Sequence, residues 1–488
     1  MKKKVILLNP PGEKKYIRDY YCSKVSKAWY VYPPVDLLML SGILYGQFEI
    51  KVIDAIVENL SVEECLREIK EFSPHAVIFI TGAVSKREDF EFVKKIKGLG
   101  DILTIASGDF LLEDGEPFLK NELALDAILR DFTSNDILVY LMVQESIKHF
   151  PIPLRKSPKV IAEGDFLDRE GFSSSAIISR GHGEISKEDH HRSNGEFRIP
   201  IPRHELFLNK KYSYPFIKRY PFSVVLTDYG CPFKCPFCVM PNVGYKYRPV
   251  DNVLEEVSYL NHLGINEIYF ADQTFGANRS RTLQLCRQLA KSFTKLGWVC
   301  FSRADTTDEE LLTAMKDSGC HTIIYGIESG NDEILKRFKG IKKERIRETI
   351  SLCKKHKIRV VGTFMIGLPG ETEESIRDTI NFSKECDFDY LSFNIAIPRA
   401  NTGLRQEAIQ KKLWLFGRDE MDQSGTYAVM GTGSLSKDEV FKWHKKAVKE
   451  FYLRPGYLLG RLLSIKSWQE FKINLQEGSS LLKGILAS

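Results

Sequence analysis

The chain has 488 residues, room for about two to four domains at roughly 100–200 residues each. Its 43% hydrophobic and 27% charged residues suit a folded protein with a sizeable core, and a formal charge of +6 without a long Lys/Arg tract makes no case for nucleic acid. No run reaches the roughly 18 apolar residues of a membrane span. The opening Met1-Lys2-Lys3-Lys4 leads into only four apolar residues before Asn9-Pro10-Pro11-Gly12, which reads as a buried first strand and not as a signal peptide, so a cytoplasmic location is expected.

Residues 1–145 alternate between strand-like and helix-like segments. Strands are expected over 5–8, 48–53, 76–80, 102–106 and 127–129, and helices over 35–44, 61–72 and 90–96. Ser61-Val62-Glu63-Glu64 has the form of a capping box opening the second helix. Such alternation predicts an α/β fold, a parallel sheet covered by helices in a Rossmann-like or flavodoxin-like layout. Residues 146–204 interrupt it with Pro151, Pro153, Pro158 and a polar stretch, and read as a linker with little core. His190-His191 lies there without other ligands at metal-binding spacing, as solvated histidines would.

Residues 205–402 alternate again. Strands are expected over 223–226, 267–271, 298–302, 322–327, 359–366 and 390–395, with helices over 253–263, 280–293, 308–317, 343–356 and 373–385. Six strand–helix units fit a partial (β/α)6 TIM-type barrel, whose chemistry sits at the C-terminal ends of its strands. Residues 403–488 lack clear strands; amphipathic helices over 437–451 and 468–475 predict a helical C-terminal extension.

Of ten cysteines, Cys22, Cys65, Cys286, Cys300, Cys320, Cys353 and Cys386 are scattered, as reduced core residues would be. The other three are packed into Asp228-Tyr229-Gly230-Cys231-Pro232-Phe233-Lys234-Cys235-Pro236-Phe237-Cys238, just after the strand over 223–226. Three thiolates at C-x3-C-x2-C spacing suit three irons of a cubane cluster and leave its fourth iron open to another ligand. Structural zinc is the alternative, but it usually takes paired C-x2-C units or added histidines, and no second pair is present.

This loop, placed after the first strand of a six-unit barrel, resembles the radical S-adenosylmethionine superfamily over about residues 205–400. The resemblance implies a [4Fe–4S] cluster on Cys231, Cys235 and Cys238, with S-adenosylmethionine chelating the open iron and cleaved to a 5′-deoxyadenosyl radical. By position it implies that Phe237 lies by the adenine. Asp272 and Gln273, at the end of the second strand, would face the cofactor. Arg303 after the third would bind its carboxylate, Glu328 and Ser329 after the fourth its ribose or amino group, and Gly367 in Gly367-Leu368-Pro369-Gly370-Glu371-Thr372 would let backbone approach the adenine.

The segment over 5–11, then Pro33-Pro34-Val35-Asp36-Leu37 and Val52-Ile53-Asp54-Ala55, resembles the cobalamin-binding domain that precedes many such enzymes, over about residues 1–145. The resemblance implies cobalamin at the C-terminal sheet edge, against loops over 9–12, 54–57, 81–85 and 107–110. It departs from the pattern where Gly-Gly-x-His would stand, reading Ser107-Gly108-Asp109-Phe110, and it has no Asp-x-His-x-x-Gly, so histidine ligation of cobalt is not implied. Glu450-Phe451-Tyr452-Leu453-Arg454-Pro455 resembles the C-terminal region of the same enzymes, as a lid or as ordinary helix-end packing.

The expectation is a radical enzyme that methylates an unactivated carbon with cobalamin. It would use an external one-electron reductant such as flavodoxin or ferredoxin, and a small-molecule or lipid-like substrate. The alternatives are a radical cyclisation, rearrangement or oxidation without methyl transfer, and a non-catalytic iron–sulfur or zinc module.

Overall fold

The computed structural model describes residues 2–27, 30–149, 176–181, 184–185, 193–414 and 421–464. The chain divides into two compact units, one of Met1–Ser23, Pro34–Lys211 and Asn242–Gly244, the other of Lys24–Pro33, Tyr212–Pro241 and Tyr245–Ser488.

The first unit is built on short apolar runs. Its strands are β1 (Lys4–Asn9), β2 (Glu49–Asp54), β3 (Ala76–Thr81), β4 (Leu103–Gly108) and β5 (Ala127–Leu129), followed by β6 (Ile177–Gly181) and β7 (Glu184–Ile185). Every residue of β3 and β4 is buried, as a parallel sheet covered on both faces requires. The sheet order is β2-β1-β3-β4-β5-β6-β7, parallel through β5 and antiparallel beyond it. The order in which parallel strands are added therefore reverses between β1 and β3, where open sheets of this kind hold ligands. Helices α1 (Val35–Tyr45), α2 (Ala55–Glu58), α3 (Val62–Phe72), α4 (Lys86–Lys97), α5 (Leu111–Asn121) and α6 (Asp136–His149) connect the strands. Ser61 and Glu64 form the expected capping box at the start of α3.

Two boundaries differ from the sequence reading. Strand β6 lies inside the stretch read as a linker: Ile177 and Ile178 pair with β5 and bury there, an apolar pair too short to give a periodic signal. Residues 24–33 lie inside the stretch read as the first domain but pack in the second unit, where the Lys27 ammonium donates to the Phe393 carbonyl (2.6 Å) and Asn394 Oδ1 (2.9 Å). Tyr32 also packs edge-on against Tyr269 there. Such tertiary anchoring has no local pattern. Pro151, Pro153, Pro158, His190, His191 and the helix read over 468–475 lie outside the described residues.

The second unit carries a six-stranded parallel sheet in the order β8-β11-β12-β13-β14-β15, the topology of a partial (β/α)6 barrel. Its strands are β8 (Ser223–Val225), β11 (Glu267–Phe270), β12 (Gly297–Ser302), β13 (Cys320–Glu328), β14 (Arg359–Ile366) and β15 (Tyr390–Ile395). A small antiparallel hairpin of β9 (Asp228–Gly230) and β10 (Gly244–Tyr247) follows β8. Register places Phe301, Ile324, Val361 and Tyr390 on one face and Cys300, Ile323 and Tyr325 on the other. The second face is fully buried, beneath helices that begin on the side-chain caps Asn278, Asp308, Asn331 and Thr372. The first face keeps half-buried residues, including Phe301, Thr363, Ser392 and Asn394.

Those four caps open α8 (Arg279–Ser292), α9 (Glu309–Asp317), α10 (Asp332–Phe338) and α12 (Glu373–Glu385); α7 (Val250–His262) and α11 (Lys343–Lys355) complete the layer. Beyond β15 come α13 (Gly403–Gln410), α14 (Lys437–Tyr452) and α15 (Pro455–Ser464). Among the described residues no helix is long and apolar enough to cross a membrane.

Candidate active site

The cysteine loop leaves the sheet at the end of β8, and its start is clamped. Asp272, just past β11, accepts from the Thr227 N–H (2.6 Å) and the Asp228 N–H (2.9 Å) on one carboxylate oxygen and from the Thr227 hydroxyl (2.7 Å) on the other. Asp228 accepts in turn from Arg281 Nη1 (2.8 Å) and the Tyr245 hydroxyl (3.0 Å). Burial, then the neighbouring Asp272, pushes Asp228 up to about 7, and burial raises Asp272 as well. Gly230 turns the chain with φ +77°, a conformation that favours glycine. Asp272, read from the sequence as facing a cofactor, thus holds the root of the loop.

Cys231, Cys235 and Cys238 beyond this clamp are half-buried residues, whereas all seven scattered cysteines are buried. Cys231 Sγ lies 3.5 Å from the Thr274 hydroxyl, the Cys238 N–H donates to the Cys235 carbonyl (3.0 Å), and Arg303 Nη1 donates to Cys235 Sγ (3.3 Å). Burial raises the Cys231 thiol and pushes Cys238 up to about 12. Among the described residues no three His, Cys, Asp or Glu side chains converge as a single-ion site.

The remaining expected residues follow at successive strand ends. Phe237 and Gln273 are half-buried, and the Gln273 amide makes no hydrogen bond among the described residues. Arg303 is buried after β12, its guanidinium stacked 4.1 Å over the Phe233 ring and forked onto Asp305 at 2.9 Å twice. Glu328 ends β13 at a register shift, with φ +71°, a sparsely populated conformation for a non-glycine residue. Its carboxylate receives Lys339 Nζ at 2.9 Å. Ser329 points elsewhere: its hydroxyl lies 3.1 Å from that of Thr379 and accepts from the Asn331 N–H, supporting the cap of α10.

Gly367 has φ +97°, and a Cβ there would meet Val440 of α14 at 2.7 Å. The N–H groups of Gly367 (2.7 Å) and Leu368 (3.0 Å) both donate to Glu371 Oε2, while Glu371 Oε1 is buried without a partner. Burial pushes this carboxyl up to about 7. The sequence reading did not single out Phe233, Thr274, Lys339 or Glu371. Phe233 lies inside the cysteine loop, Thr274 next to Gln273 at the strand end and Glu371 in the glycine-rich turn, whereas Lys339 left no local signal.

At the C-terminal sheet edge of the first unit, Arg18 fills the position between β1 and β3. It donates to Asn9 Oδ1 (2.7 Å), the Pro10 carbonyl (2.9 Å), Ser85 Oγ (3.1 Å) and Asp89 (2.6 Å), and neither member of the Arg18–Asp89 pair is exposed. Nearby, Asp36 Oδ2 accepts from Ser107 (2.9 Å) while its Oδ1 is buried without a partner. Burial, reinforced by Asp19, pushes Asp36 up to about 8. The four edge loops contain no histidine.

Residues 225–383 match the Radical SAM superfamily. Over 435 residues, 88% of this chain and 89% of the relative, the sequence is 29% identical to the uncharacterized methyltransferase PH0819 of Pyrococcus horikoshii. It is 32% identical over 265 residues to the ribosomal protein uS12 methylthiotransferase RimO of Caldanaerobacter subterraneus, covering 50% of this chain and 55% of that one. The fold is that of TsrM from Kitasatospora setae, a radical S-adenosylmethionine methyltransferase solved with cobalamin and a [4Fe-4S] cluster bound, at TM-score 0.68, 16% identity and 100% of both chains. It is also that of OxsB, a cobalamin-dependent S-adenosylmethionine radical enzyme, at TM-score 0.65, 14% identity, 98% of this chain and 71% of that one.

Proposed function

We propose that this protein is a radical S-adenosylmethionine methyltransferase that holds a [4Fe–4S] cluster on Cys231, Cys235 and Cys238 and uses cobalamin to methylate an unactivated carbon. The observation that carries the reading is the contrast among the cysteines: three half-buried residues together on a clamped loop at a parallel-sheet edge, and seven scattered through the core. A cubane takes its cysteine sulfurs at separate corners, so these thiols need to line a recess and need not converge on one ion. When bound, the cluster supplies the electron that cleaves S-adenosylmethionine to a 5′-deoxyadenosyl radical.

The protein's own residues bind and orient. Asp272 and the Asp228–Arg281 pair fix where the loop begins, and Thr274 borders Cys231. Glu328, held by Lys339 in a strained conformation at the strand end, suits the amino or ribose groups of S-adenosylmethionine, and the half-buried Gln273 amide keeps its donors and acceptor available. The turn at Gly367, its N–H held by Glu371 and its Cα packed on Val440, borders the place for the adenine, with Phe237 as an apolar wall.

For the first unit, the orphaned Asp36 Oδ1 beside Ser107 suits a ligand with amide groups, which a corrin carries, and cobalamin when bound would supply the methyl group. The histidine-free loops offer cobalt no imidazole. That absence keeps a second reading in play, radical cyclisation, rearrangement or oxidation without methyl transfer. An oxygen-sensitive cluster and a flavodoxin- or ferredoxin-type reductant suit a cytoplasmic setting.

The test is anaerobic purification with iron, sulfide and corrin quantified, then incubation with S-adenosylmethionine and a reductant. Iron near four per chain, release of 5′-deoxyadenosine and loss of both on replacing the three cysteines by serine are expected. Unchanged iron and nucleoside release in the triple variant would end the proposal. Bound cluster and nucleoside release without any corrin would favour the second reading.

A further inference from the structure

Resting on the assignment of a cluster to the three cysteines, we infer that Arg303 is a positioning residue that sets the cluster's reduction potential through the Cys235 sulfur and does not clamp a cofactor carboxylate. An arginine has five N–H donors. Nε and one Nη2 donor of Arg303 are forked onto Asp305 at 2.9 Å each, and the other Nη2 donor reaches the Lys339 carbonyl at 3.2 Å. Nη1 donates to Cys235 Sγ at 3.3 Å. That leaves a single N–H, too few for the two parallel bonds by which arginine grips a carboxylate. The stack on Phe233 at 4.1 Å fixes the plane, and the side chain is buried, so the guanidinium has little freedom to turn toward another partner.

This geometry has an electronic consequence. A cationic N–H donor on a ligating sulfur withdraws electron density and favours the cluster state with the extra electron, which raises the reduction potential. The second nearby cation, Lys339, already has Glu328 as its counter-charge. Asp305 is the residue that aims the guanidinium, and it sits on the edge away from the sulfur bond. Phe233, between the first two cysteines, completes the support from within the loop itself.

The experiment is an EPR-monitored redox titration of the reconstituted full-length protein, without S-adenosylmethionine, alongside iron counts and equilibrium dialysis of S-adenosylmethionine. Arg303→Met should keep its iron and its S-adenosylmethionine affinity while the midpoint moves to more negative potential. The reduced-to-oxidised ratio at the wild-type midpoint should fall by about tenfold, equivalent to about 59 mV for one electron. Asp305→Asn, which removes a negative charge from the same fork, should move the midpoint the other way. A wild-type midpoint in Arg303→Met combined with a large loss of S-adenosylmethionine affinity would make Arg303 a carboxylate clamp and overturn the inference. Should Arg303→Met fail to load iron, Asp305→Asn and Arg303→Lys decide, and wild-type midpoints in both would overturn it equally. Absence of iron from the wild-type protein would instead be a failure of the cluster assignment.

Discussion

The two parallel sheets of this chain end in opposite ways. In the first unit the C-terminal edge is braced by its own side chains: Arg18 joins Asn9, Ser85 and Asp89, and Asn9 donates to Asp54 (2.8 Å), so the loops after three strands are tied together while Asp36 Oδ1 stays unpartnered. In the second unit the cysteine loop is clamped at its root by Asp272 and Arg281, and beyond it stand the three half-buried cysteines. The same architectural rule, ligands at the carboxyl ends of parallel strands, thus yields a cross-braced edge in one unit and, in the other, one clamped at a single loop and open beyond it. Fold places a site, but side chains decide which groups are left for a ligand.

The sharpest way to break this comparison is Arg18→Ala. It leaves Asp89 fully buried without its counter-charge, and removing one member of such a pair costs about 3–5 kcal/mol. Denaturant unfolding should show the loss, while iron per chain after reconstitution stays at the wild-type level. A parallel loss of iron would mean that the two edges are not separately maintained.

Gly367→Ala acts on the open edge. The substitution puts a side chain at φ +97° and 2.7 Å from Val440, so a cost of about 1–3 kcal/mol is expected from backbone strain, with weaker S-adenosylmethionine binding in dialysis. Full affinity in the variant would remove the turn from the cofactor's surroundings.

The smallest effect is in pH dependence. Asp36 is raised by burial from 3.8 to about 8, so the folded state keeps a proton that the unfolded chain gives up. Its contribution to stability is full below the ordinary carboxylate value and drains away as pH rises toward about 8. Asp36→Asn should remove that slope, so that the variant gains on the wild type from acid to mildly alkaline pH. Parallel stability curves for the two proteins would refute a neutral Asp36.

The amino-acid sequence by itself determined the alternation of strands and helices in both units, the capping box at Ser61, and the cysteine spacing, because these are local patterns carried by adjacent residues. Tertiary structure alone decided that Asp272 anchors the loop, that Ser329 supports a helix cap, that Arg303 spends its fork on Asp305 and that Arg18 fills the edge beside β1. Those outcomes depend on which partner comes within about 3 Å, some of them only two residues away, as Asp305 is from Arg303, and others in remote elements, as Asp272 is from Thr227 and Asp89 from Arg18, and periodicity carries no record of that. The same limit hid strand β6 and the crossing of residues 24–33 into the second unit: a few apolar or aromatic side chains anchored by remote partners are too short a signal to read in isolation.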